Sequence, residues 1–337
     1  MLVLNTTAPR TQFFEERPEP VPGSGEVLVE TAAASICGSD IHLYRGDHPY
    51  TRYPMVYGHE AAGVVREVAP DVTDVAPGDR VVVEPLIPCG KCVACRVGRG
   101  NCCTETRMIG ISLMGAMAER FVAPARSLYA VPDGFPFRLA SLVEPFSIGF
   151  QGVSRGEVTE ADRVVILGAG PIGLTILCAA KERGAQVAMT DLINSRLQLA
   201  AQLGADFTVN SQNKGWQQTL RKWADGDGPS VVVEAVGQPA TIEAAVDLVA
   251  AAGRVVIVGV TTKKFSLRGV DMTKKELTLY GSRNNLGHYP EVIRYVAEHP
   301  DIVEAMVTHT FPFARAIDAF QLADQHPTEC CKVVLEF

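Results

Sequence analysis

The feature that most constrains this sequence is a regular alternation of strand-like and helix-like segments from residue 162 onward. Apolar runs such as DRVVILGAG, QVAMTDL and SVVVEAVG alternate with Ala- and Leu-rich stretches such as PIGLTILCAAKERG and TIEAAVDLVAAAG. Strands that alternate with helices along a chain pair in parallel, with the helices as crossover connections. The pattern therefore predicts an α/β domain built on a doubly wound parallel sheet.

The preceding part of the chain has a different texture. Up to about residue 145, short Val-rich runs are separated by Gly and Pro, which is typical of a mostly β domain. The tail after GSRNN ends in the strand-like CKVVLEF, and we expect it to rejoin this first domain. The length of 337 residues exceeds one ordinary core. We predict a mostly β domain over residues 1–145 and 285–337, with a lobe near 86–104, and the parallel-sheet domain over 146–284.

Composition excludes several classes of protein. A hydrophobic fraction of 47% and a charged fraction of 20% are typical of a globular protein. The net charge of −7 arises without a long charged run, so we expect no nucleic-acid partner. No apolar stretch approaches the roughly 20 residues that span a bilayer, and the first residues do not resemble a secretion signal. We therefore expect a cytoplasmic protein without a membrane partner, in which clustered cysteines hold metal.

A glycine-rich turn marks a dinucleotide site. Gly168, Gly170 and Gly173 have the G-x-G-x-x-G spacing, and with Pro171 and Ile172 they connect an apolar strand to a helix. The first glycine allows a tight turn, the second lets the backbone approach a pyrophosphate, and the third lets the helix pack on the strand. The helix N-terminus supplies N–H groups and the positive end of a dipole. The turn predicts a Rossmann-type nucleotide site.

An acidic residue in the next strand favours NAD over NADP. Asp191 ends the strand QVAMTD, where a carboxylate can accept hydrogen bonds from the adenosine ribose and repels a 2′-phosphate. Arg196 would soften that preference, although a solvated position on the following helix is its more ordinary interpretation. A glycine-rich turn without a ligand is the alternative to this cofactor site.

Four cysteines form a compact motif. Cys89, Cys92, Cys95 and Cys103 give C-x2-C-x2-C-x7-C within one short loop. Four thiolates make a closed tetrahedral zinc site, which orders a segment without a core and leaves no coordination position for a substrate. Cys102 is a rival for the fourth ligand. An iron–sulfur cluster and free surface thiols are the alternatives to a structural zinc.

A second metal site would be drawn from separate segments. Cys37 in ICGSDIH, His59 and Glu60 in GHE, and Glu144 in LVEPFSIG combine a thiol, an imidazole and carboxylates. A catalytic zinc takes three protein ligands of these kinds and keeps a fourth position for water or substrate. Taken singly, a His after Gly is more often structural, and an isolated Glu before Pro more often lies at the surface.

Taken in order, the segments ICGSD, GHE, PGDRV, the four-cysteine loop, EP and GAGPIG resemble the zinc-containing medium-chain dehydrogenase/reductase superfamily over most of the chain. The resemblance implies a GroES-like catalytic domain and a Rossmann NAD-binding domain. Glu144 stands where liver-type alcohol dehydrogenases have a second cysteine, as in the sorbitol dehydrogenase branch. The segments SDIHLYRG, SRNN, THTFPF and CCKVVLEF look most like bacterial dehydrogenases of sugar acids such as L-galactonate or L-gulonate.

The resemblance also implies a ligand set for the catalytic zinc. Cys37, His59 and Glu144 would bind the metal, and Glu60 would lie beside it. Asp40 would accept a hydrogen bond from the other nitrogen of His59 and so fix its tautomer. The zinc would then act as a Lewis acid on the alcohol, and the hydride would pass to NAD.

Three further residues take implied roles near the substrate. Ser39 would hydrogen-bond the substrate hydroxyl, and His42 would relay its proton toward solvent. Arg283 would lie near the nicotinamide and the substrate.

The substrate class depends on a few cations. The loop HLYRGDHPYTRYP carries Arg45, His48 and Arg52, and a planar guanidinium suits a carboxylate, so a sugar acid is favoured. The alternative is that these arginines are ordinary solvated residues and that the substrate is a neutral polyol. A third hypothesis is a nucleotide-binding regulator without enzymatic activity. We expect a homodimer or homotetramer, in which the edge strand LTLYGS could pair across a twofold axis.

Overall fold

The computed structural model describes all residues from Met1 to Phe337. The chain divides into two units, which we call unit 1 (Met1–Glu144 with Tyr289–Phe337) and unit 2 (Pro145–His288). No helix is both long enough and apolar enough to cross a membrane.

The first segment of unit 1 consists mainly of strands. They are β1 (Leu2–Ala8), β2 (Thr11–Glu16), β3 (Glu26–Ile36), β4 (Glu60–Val68), β5 (Arg80–Val83), β6 (Leu86–Ile87), β7 (Arg107–Met108), β8 (Arg120–Pro124) and β9 (Leu128–Ala130). The helices of this segment are α1 (Gly38–Arg45), α2 (Val93–Arg96) and α3 (Phe137–Ala140), and α4 (Val143–Arg155) begins at its end.

Unit 2 alternates strands with helices. Its strands are β10 (Arg163–Leu167), β11 (Gln186–Asp191), β12 (Phe207–Asn210), β13 (Val231–Glu234), β14 (Arg254–Ile257) and β15 (Thr278–Gly281). Its helices are α5 (Pro171–Glu182), α6 (Asn194–Gln202), α7 (Trp216–Trp223), α8 (Pro239–Leu248) and α9 (Gly269–Lys275).

The second segment of unit 1 completes the chain. It contains α10 (Tyr289–Glu298), α11 (Pro300–Met306), β16 (Val307–Pro312), α12 (Ala316–Gln325) and β17 (Lys332–Glu336). Short 3₁₀ turns cover Gly100–Cys102, Ala125–Ser127 and Phe313–Arg315.

The six strands of unit 2 form one parallel sheet in the order β12-β11-β10-β13-β14-β15. This is the doubly wound order in which a dinucleotide binds outside the carboxyl ends of the strands. The central strands β10 and β13 are apolar along most of their length and buried at every residue except Arg163, as expected for strands covered on both faces. The predicted Rossmann fold is confirmed.

The main sheet of unit 1 brings distant segments to one edge. Its strand order is β16-β17-β3-β4-β5-β9, with β8 also paired to β3. The pair β16–β17 is parallel, whereas β17–β3 and β3–β4 are antiparallel. The register places Ile36 opposite Val333 and Ser35 opposite Glu60. The end of β3 therefore lies between the starts of β4 and β17, and this edge carries the site described next.

Candidate active site and cofactor turn

Three side chains from two separate segments of unit 1 converge at this edge. The Cys37 thiol, a His59 ring nitrogen and a Glu60 carboxylate oxygen all lie within 4.8 Å of one another. Cys37 caps the start of α1, and the pair His59–Glu60 leads into β4. A thiol, an imidazole and a carboxylate are the donors that zinc takes in a catalytic site. The chemistry of this donor set therefore fits zinc.

Asp40 connects two of these residues. It is fully buried, and its Oδ2 accepts a hydrogen bond from the Cys37 backbone N–H at 2.9 Å. Its Oδ1 lies 3.3 Å from Nδ1 of His59. Nε2 of His59 is thus the nitrogen left for a metal, and the hydroxyl of Ser39 lies 3.4 Å from it. This is the arrangement in which a carboxylate fixes the tautomer of a metal-binding histidine.

Glu60 has partners that the sequence analysis did not foresee. Its Oε2 accepts hydrogen bonds from the Ser35 hydroxyl and from the buried ammonium of Lys332. Burial opposes the charge on Lys332, but Glu60 and then Cys37 outweigh this effect and raise the Lys332 pKa. The only signal in the sequence was a lysine placed directly before an apolar strand.

Glu144 is a further buried carboxylate near Cys37, His59 and Glu60. Burial raises the pKa of the Glu144 carboxyl to about 7, an effect that His59 opposes and Glu60 increases. The structure thus brings Glu60, rather than Glu144, within 4.8 Å of the other two donors. Ligation of a metal by Glu144 remains a prediction.

The charges around His59 favour a cation. Burial alone would lower the His59 pKa, but Asp40 and then Cys37 outweigh it and raise this pKa well above its ordinary value. The same negative groups would attract a metal cation, and a metal displaces the proton when it binds. The electrostatics and the donor set therefore agree.

The four-cysteine lobe has the geometry of a closed metal site. The thiols of Cys89, Cys92, Cys95 and Cys103 lie within 4.8 Å of one another, whereas Cys102 is exposed. The Cys92 and Cys95 sulfurs are 3.5 Å apart, close to the roughly 3.8 Å that tetrahedral Zn–S bonds of about 2.3 Å would impose. Backbone N–H groups of Cys95 and Thr104 lower the Cys92 pKa to about 6, and burial raises that of Cys95 to about 12. Such a split indicates that the thiols together need a cation to be fully deprotonated.

The cationic residues predicted to lie near the substrate differ in their exposure and in their partners. His42 is half exposed, with Nδ1 2.8 Å from Asp47. Arg45 pairs with Asp324, so its guanidinium already has a carboxylate partner. Arg52 is exposed.

Two other residues from that prediction lie in different units. Burial lowers the pKa of His48, whose Nδ1 accepts a hydrogen bond from the Tyr50 backbone N–H. Arg283 is exposed and follows β15 in unit 2.

The glycine-rich turn of unit 2 has the predicted backbone constraints. Gly168 has φ +104°, a conformation that favours glycine. A Cβ at Gly173 would lie 1.9 Å from the Gly168 carbonyl oxygen, so a larger residue cannot occupy this position. A Cβ at Gly170 would meet no atom within 4 Å, which leaves space for a ligand above the N-terminus of α5. Pro171 and Ile172 begin that helix. The turn fits a pyrophosphate.

Asp191 ends β11 and ties this turn to the neighbouring loop. Its Oδ2 accepts the Ala169 backbone N–H at 2.8 Å, and its Oδ1 accepts that of Ile193 at 3.0 Å. Arg196 Nη1 lies 3.9 Å from Oδ2. A carboxylate has about four acceptor positions, so Asp191 retains capacity for ribose hydroxyls.

Glu234 is a second residue that the sequence analysis missed. It ends β13 and is fully buried, and its Oε1 accepts hydrogen bonds from the backbone N–H groups of Val236 and Gly237 and from the Thr241 hydroxyl. It thereby orders a loop at the carboxyl end of the parallel sheet, where a dinucleotide binds. The available signal was an acidic residue ending the apolar run SVVVE, as Asp191 ends QVAMTD.

Comparison with known families identifies the chain. Residues 23–133 match the family described as alcohol dehydrogenase GroES-like domain, and residues 171–298 match the family described as zinc-binding dehydrogenase. The chain belongs to the zinc-binding dehydrogenases. The resemblance inferred from the sequence motifs is therefore confirmed, as is the pairing of a GroES-like domain with a Rossmann domain.

Three similar proteins illustrate the family. L-galactonate-5-dehydrogenase of Escherichia coli K12 is 31% identical, covering 100% of this chain and 99% of that protein. Sorbitol dehydrogenase of Gallus gallus is 35% identical, covering 91% of this chain and 89% of that protein. The RspB dehydrogenase of E. coli CFT073, solved with NADH, has a TM-score of 0.94 at 34% identity and covers 100% of this chain and 99% of that chain.

These findings define the enzyme class. This zinc-binding dehydrogenase is an NAD-linked oxidoreductase of the alcohol and polyol type. Its cofactors are zinc and NAD, in agreement with the four-cysteine group, the Cys37, His59 and Glu60 group, and the NADH complex of a structural relative.

The preference of this zinc-binding dehydrogenase for NAD can be tested at one residue. Asp191→Ala is expected to weaken NAD binding more than NADP binding, because it removes both the ribose acceptor and the charge that repels the 2′-phosphate. Dissociation constants for both reduced cofactors, measured by fluorescence titration, give the ratio.

Since Asp191 also ties the glycine turn, both affinities should fall, and only their ratio reports on the ribose. Asp191→Asn keeps one acceptor oxygen without the charge, so it can retain only one of the two backbone hydrogen bonds. Its NAD affinity should fall less than that of Asp191→Ala, and the loss of charge should still shift the ratio toward NADP. An unchanged ratio in both variants would refute the assigned role.

Proposed function

We propose that this chain oxidises a secondary alcohol of a sugar acid, such as L-gulonate or L-galactonate, to the keto acid. The observation that supports the chemistry is the convergence of Cys37, His59 and Glu60, with the Ser39 hydroxyl 3.4 Å from Nε2 of His59. We refer to Cys37, His59 and Glu60 as the ligand group. A small hydroxyl beside this group is suited to hold a substrate alcohol and accept its proton.

The residues of unit 1 bind and orient the reacting groups. Cys37, His59 and Glu144 would hold the zinc, with Glu60 beside it. When bound, zinc supplies a Lewis acid that lowers the pKa of an alcohol, and NAD accepts the hydride.

Two other residues position these groups and move the proton. Asp40 keeps Nε2 of His59 directed at the ligand group by its contact with Nδ1. Ser39 would orient the hydroxyl and pass its proton outward, and the half-exposed His42 of the same helix would relay that proton toward solvent.

The acid specificity rests on fewer observations. L-galactonate-5-dehydrogenase aligns over the whole chain, and its name indicates a sugar acid as its substrate. Of the cations in the loop between α1 and β4, Arg45 is engaged by Asp324, whereas Arg52 is exposed. Arg52 is therefore the proposed partner of the substrate carboxylate. Arg283 is proposed to lie near the nicotinamide.

A neutral polyol is the second candidate substrate. Sorbitol dehydrogenase of Gallus gallus is as similar to this chain as the sugar-acid enzyme, and the ligand group would act on either class of alcohol. A polyol would not need Arg52.

A substrate panel with matched variants tests the proposal. NADH formation is measured with L-gulonate, L-galactonate, sorbitol, xylitol and galactitol for the unaltered protein, Arg52→Gln and Arg126→Gln. Arg126 is another exposed arginine of unit 1 and serves as the control. Loss of a charge-assisted hydrogen bond should raise KM for the acid about tenfold or more in Arg52→Gln alone.

The outcomes separate the candidate functions. Turnover of the acids with an Arg52-dependent KM supports the proposal. Turnover of polyols alone, or equal effects of the two arginine variants, contradicts the acid assignment. No turnover on any member of the panel would favour a nucleotide-binding regulator.

We also propose that two copies pair along β15. This strand is at the edge of the unit 2 sheet and hydrogen-bonds to β14 alone, which leaves a row of backbone groups for a second copy. Light scattering of the purified protein should give the mass of a dimer or tetramer. A mass of 36.2 kDa would contradict this.

A further inference from the structure

A lysine is buried directly behind the ligand group. Lys332, the first residue of β17, is 2% exposed. Its Nζ donates a hydrogen bond to the Ile36 carbonyl at 3.3 Å and pairs with Oε2 of Glu60. Ile36 immediately precedes Cys37, and Glu60 immediately follows His59. Lys332 thus connects the two backbone segments that carry the thiol and the imidazole.

Glu60 is held by one oxygen only. Its Oε2 is bound by Lys332 and by the Ser35 hydroxyl, whereas Oε1 is buried without a hydrogen-bond partner. A carboxylate oxygen of this residue already lies within 4.8 Å of the Cys37 thiol and of a His59 nitrogen. An unpaired, buried carboxylate oxygen is unfavourable and is drawn toward any nearby cation. A small rotation would therefore make Glu60 a full metal ligand.

The positive charge of Lys332 is what compensates the second carboxylate of this site. The charged groups that act on the buried Glu144 are His59, Glu60, Lys332 and Asp40, and Lys332 is the permanent cation among them. While Lys332 neutralises Glu60, a bound metal would balance only the Cys37 thiolate and the Glu144 carboxylate. Without Lys332, the second carboxylate has no compensating charge except the metal itself.

We propose that Lys332 is a positioning residue that anchors Glu60 to the sheet edge, so that a metal held by Cys37, His59 and Glu144 would keep a position open for the substrate alcohol. This inference rests on the proposed function, because that position is the one at which the alcohol would bind.

Cobalt substitution tests the proposal without relying on turnover. Co²⁺ replaces Zn²⁺ in the purified protein, and the visible absorption reports the coordination number because additional ligands weaken these bands. Lys332→Met, which is apolar and of similar length, is expected to weaken the bands as Glu60 joins the metal. The same variant with zinc should lose about 10- to 100-fold in kcat.

Three further variants serve as controls. Lys332→Arg keeps the charge and should retain the unaltered spectrum. The double variant Lys332→Met/Glu60→Gln removes the freed carboxylate and should restore the strong bands. Lys275→Met makes the same change in unit 2, where Lys275 binds backbone carbonyls at the end of α8, and should leave the spectrum unchanged.

The outcomes decide between positioning and mere packing. An unchanged cobalt spectrum in Lys332→Met, or a double variant whose spectrum stays weak, would overturn the proposal. Failure of the proposed function would look different, because an unaltered protein inactive on every substrate could still show the spectral change. A change in zinc content without a change of the cobalt bands would also count against positioning.

Discussion

Cys37→Ala and His59→Ala are each expected to reduce kcat by at least about 10³-fold while NAD still binds. Each change removes one donor of the ligand group, and the Lewis acidity of a catalytic zinc contributes several kcal/mol, at about 1.4 kcal/mol per tenfold in rate. The cofactor turn lies in unit 2 and shares no residue with this group. Steady-state kinetics on the best panel substrate, with NADH titration by fluorescence, measure both quantities.

Metal removal provides the same comparison without a substitution. A protein treated with a chelator should lose activity, regain it with added zinc, and bind NADH throughout. Retained turnover in the metal-free protein would refute zinc-dependent chemistry. Loss of NADH affinity together with turnover would instead indicate that the variants are misfolded.

Cys95→Ser is expected to lower the zinc content from two to one per chain and to reduce Tm by at least about 5 °C. The lobe has almost no apolar core, since α2 buries no residue and Val93 and Val97 are about two-thirds exposed. Its order must therefore come from the metal, whose binding free energy in small structural sites is about 10–16 kcal/mol. Elemental analysis and calorimetry measure the two effects.

Cys102→Ser is the matched control for the lobe. Cys102 precedes the buried Cys103 and is exposed, so its thiol should be dispensable. Unchanged zinc content in Cys95→Ser would contradict a structural zinc. A Cys102 variant that also lost one zinc would show that the fourth ligand is misassigned.

The fold was largely predictable because its signals are local. The G-x-G-x-x-G turn and the apolar strands of unit 2 depend on neighbours within a few residues, so their order along the chain already implies a parallel sheet. The Cys89 to Cys103 spacing is equally local, and the structure brings these four thiols together.

The candidate site was predictable only in part, because it depends on tertiary contacts. The partners of Glu60 come from Ser35 and Lys332, and the register of β3, β4 and β17 that places them together is not visible in the sequence. Arg45 looked available for a substrate until the structure paired it with Asp324 in α12.

The ligand set shows the same limit. Family resemblance implies Glu144 as the third donor, and the structure adds that a Glu60 carboxylate oxygen lies within 4.8 Å of the Cys37 and His59 donors. Both carboxylates are buried, and Glu60 adds to the rise in the Glu144 pKa through space. Such coupling between distant positions leaves no local pattern.

The arrangement of the sheet edge has a consequence for the order of events during synthesis. Unit 2 is one continuous stretch of chain, so it can fold as soon as it leaves the ribosome. The Glu60–Lys332 pair closes a separation of 272 residues, so it must wait until translation has passed unit 2. If Lys332 anchors Glu60 as proposed, a nascent chain that acquired its catalytic metal before then would hold it with Glu60 unrestrained, and metal loading after this pair has formed would be the productive order.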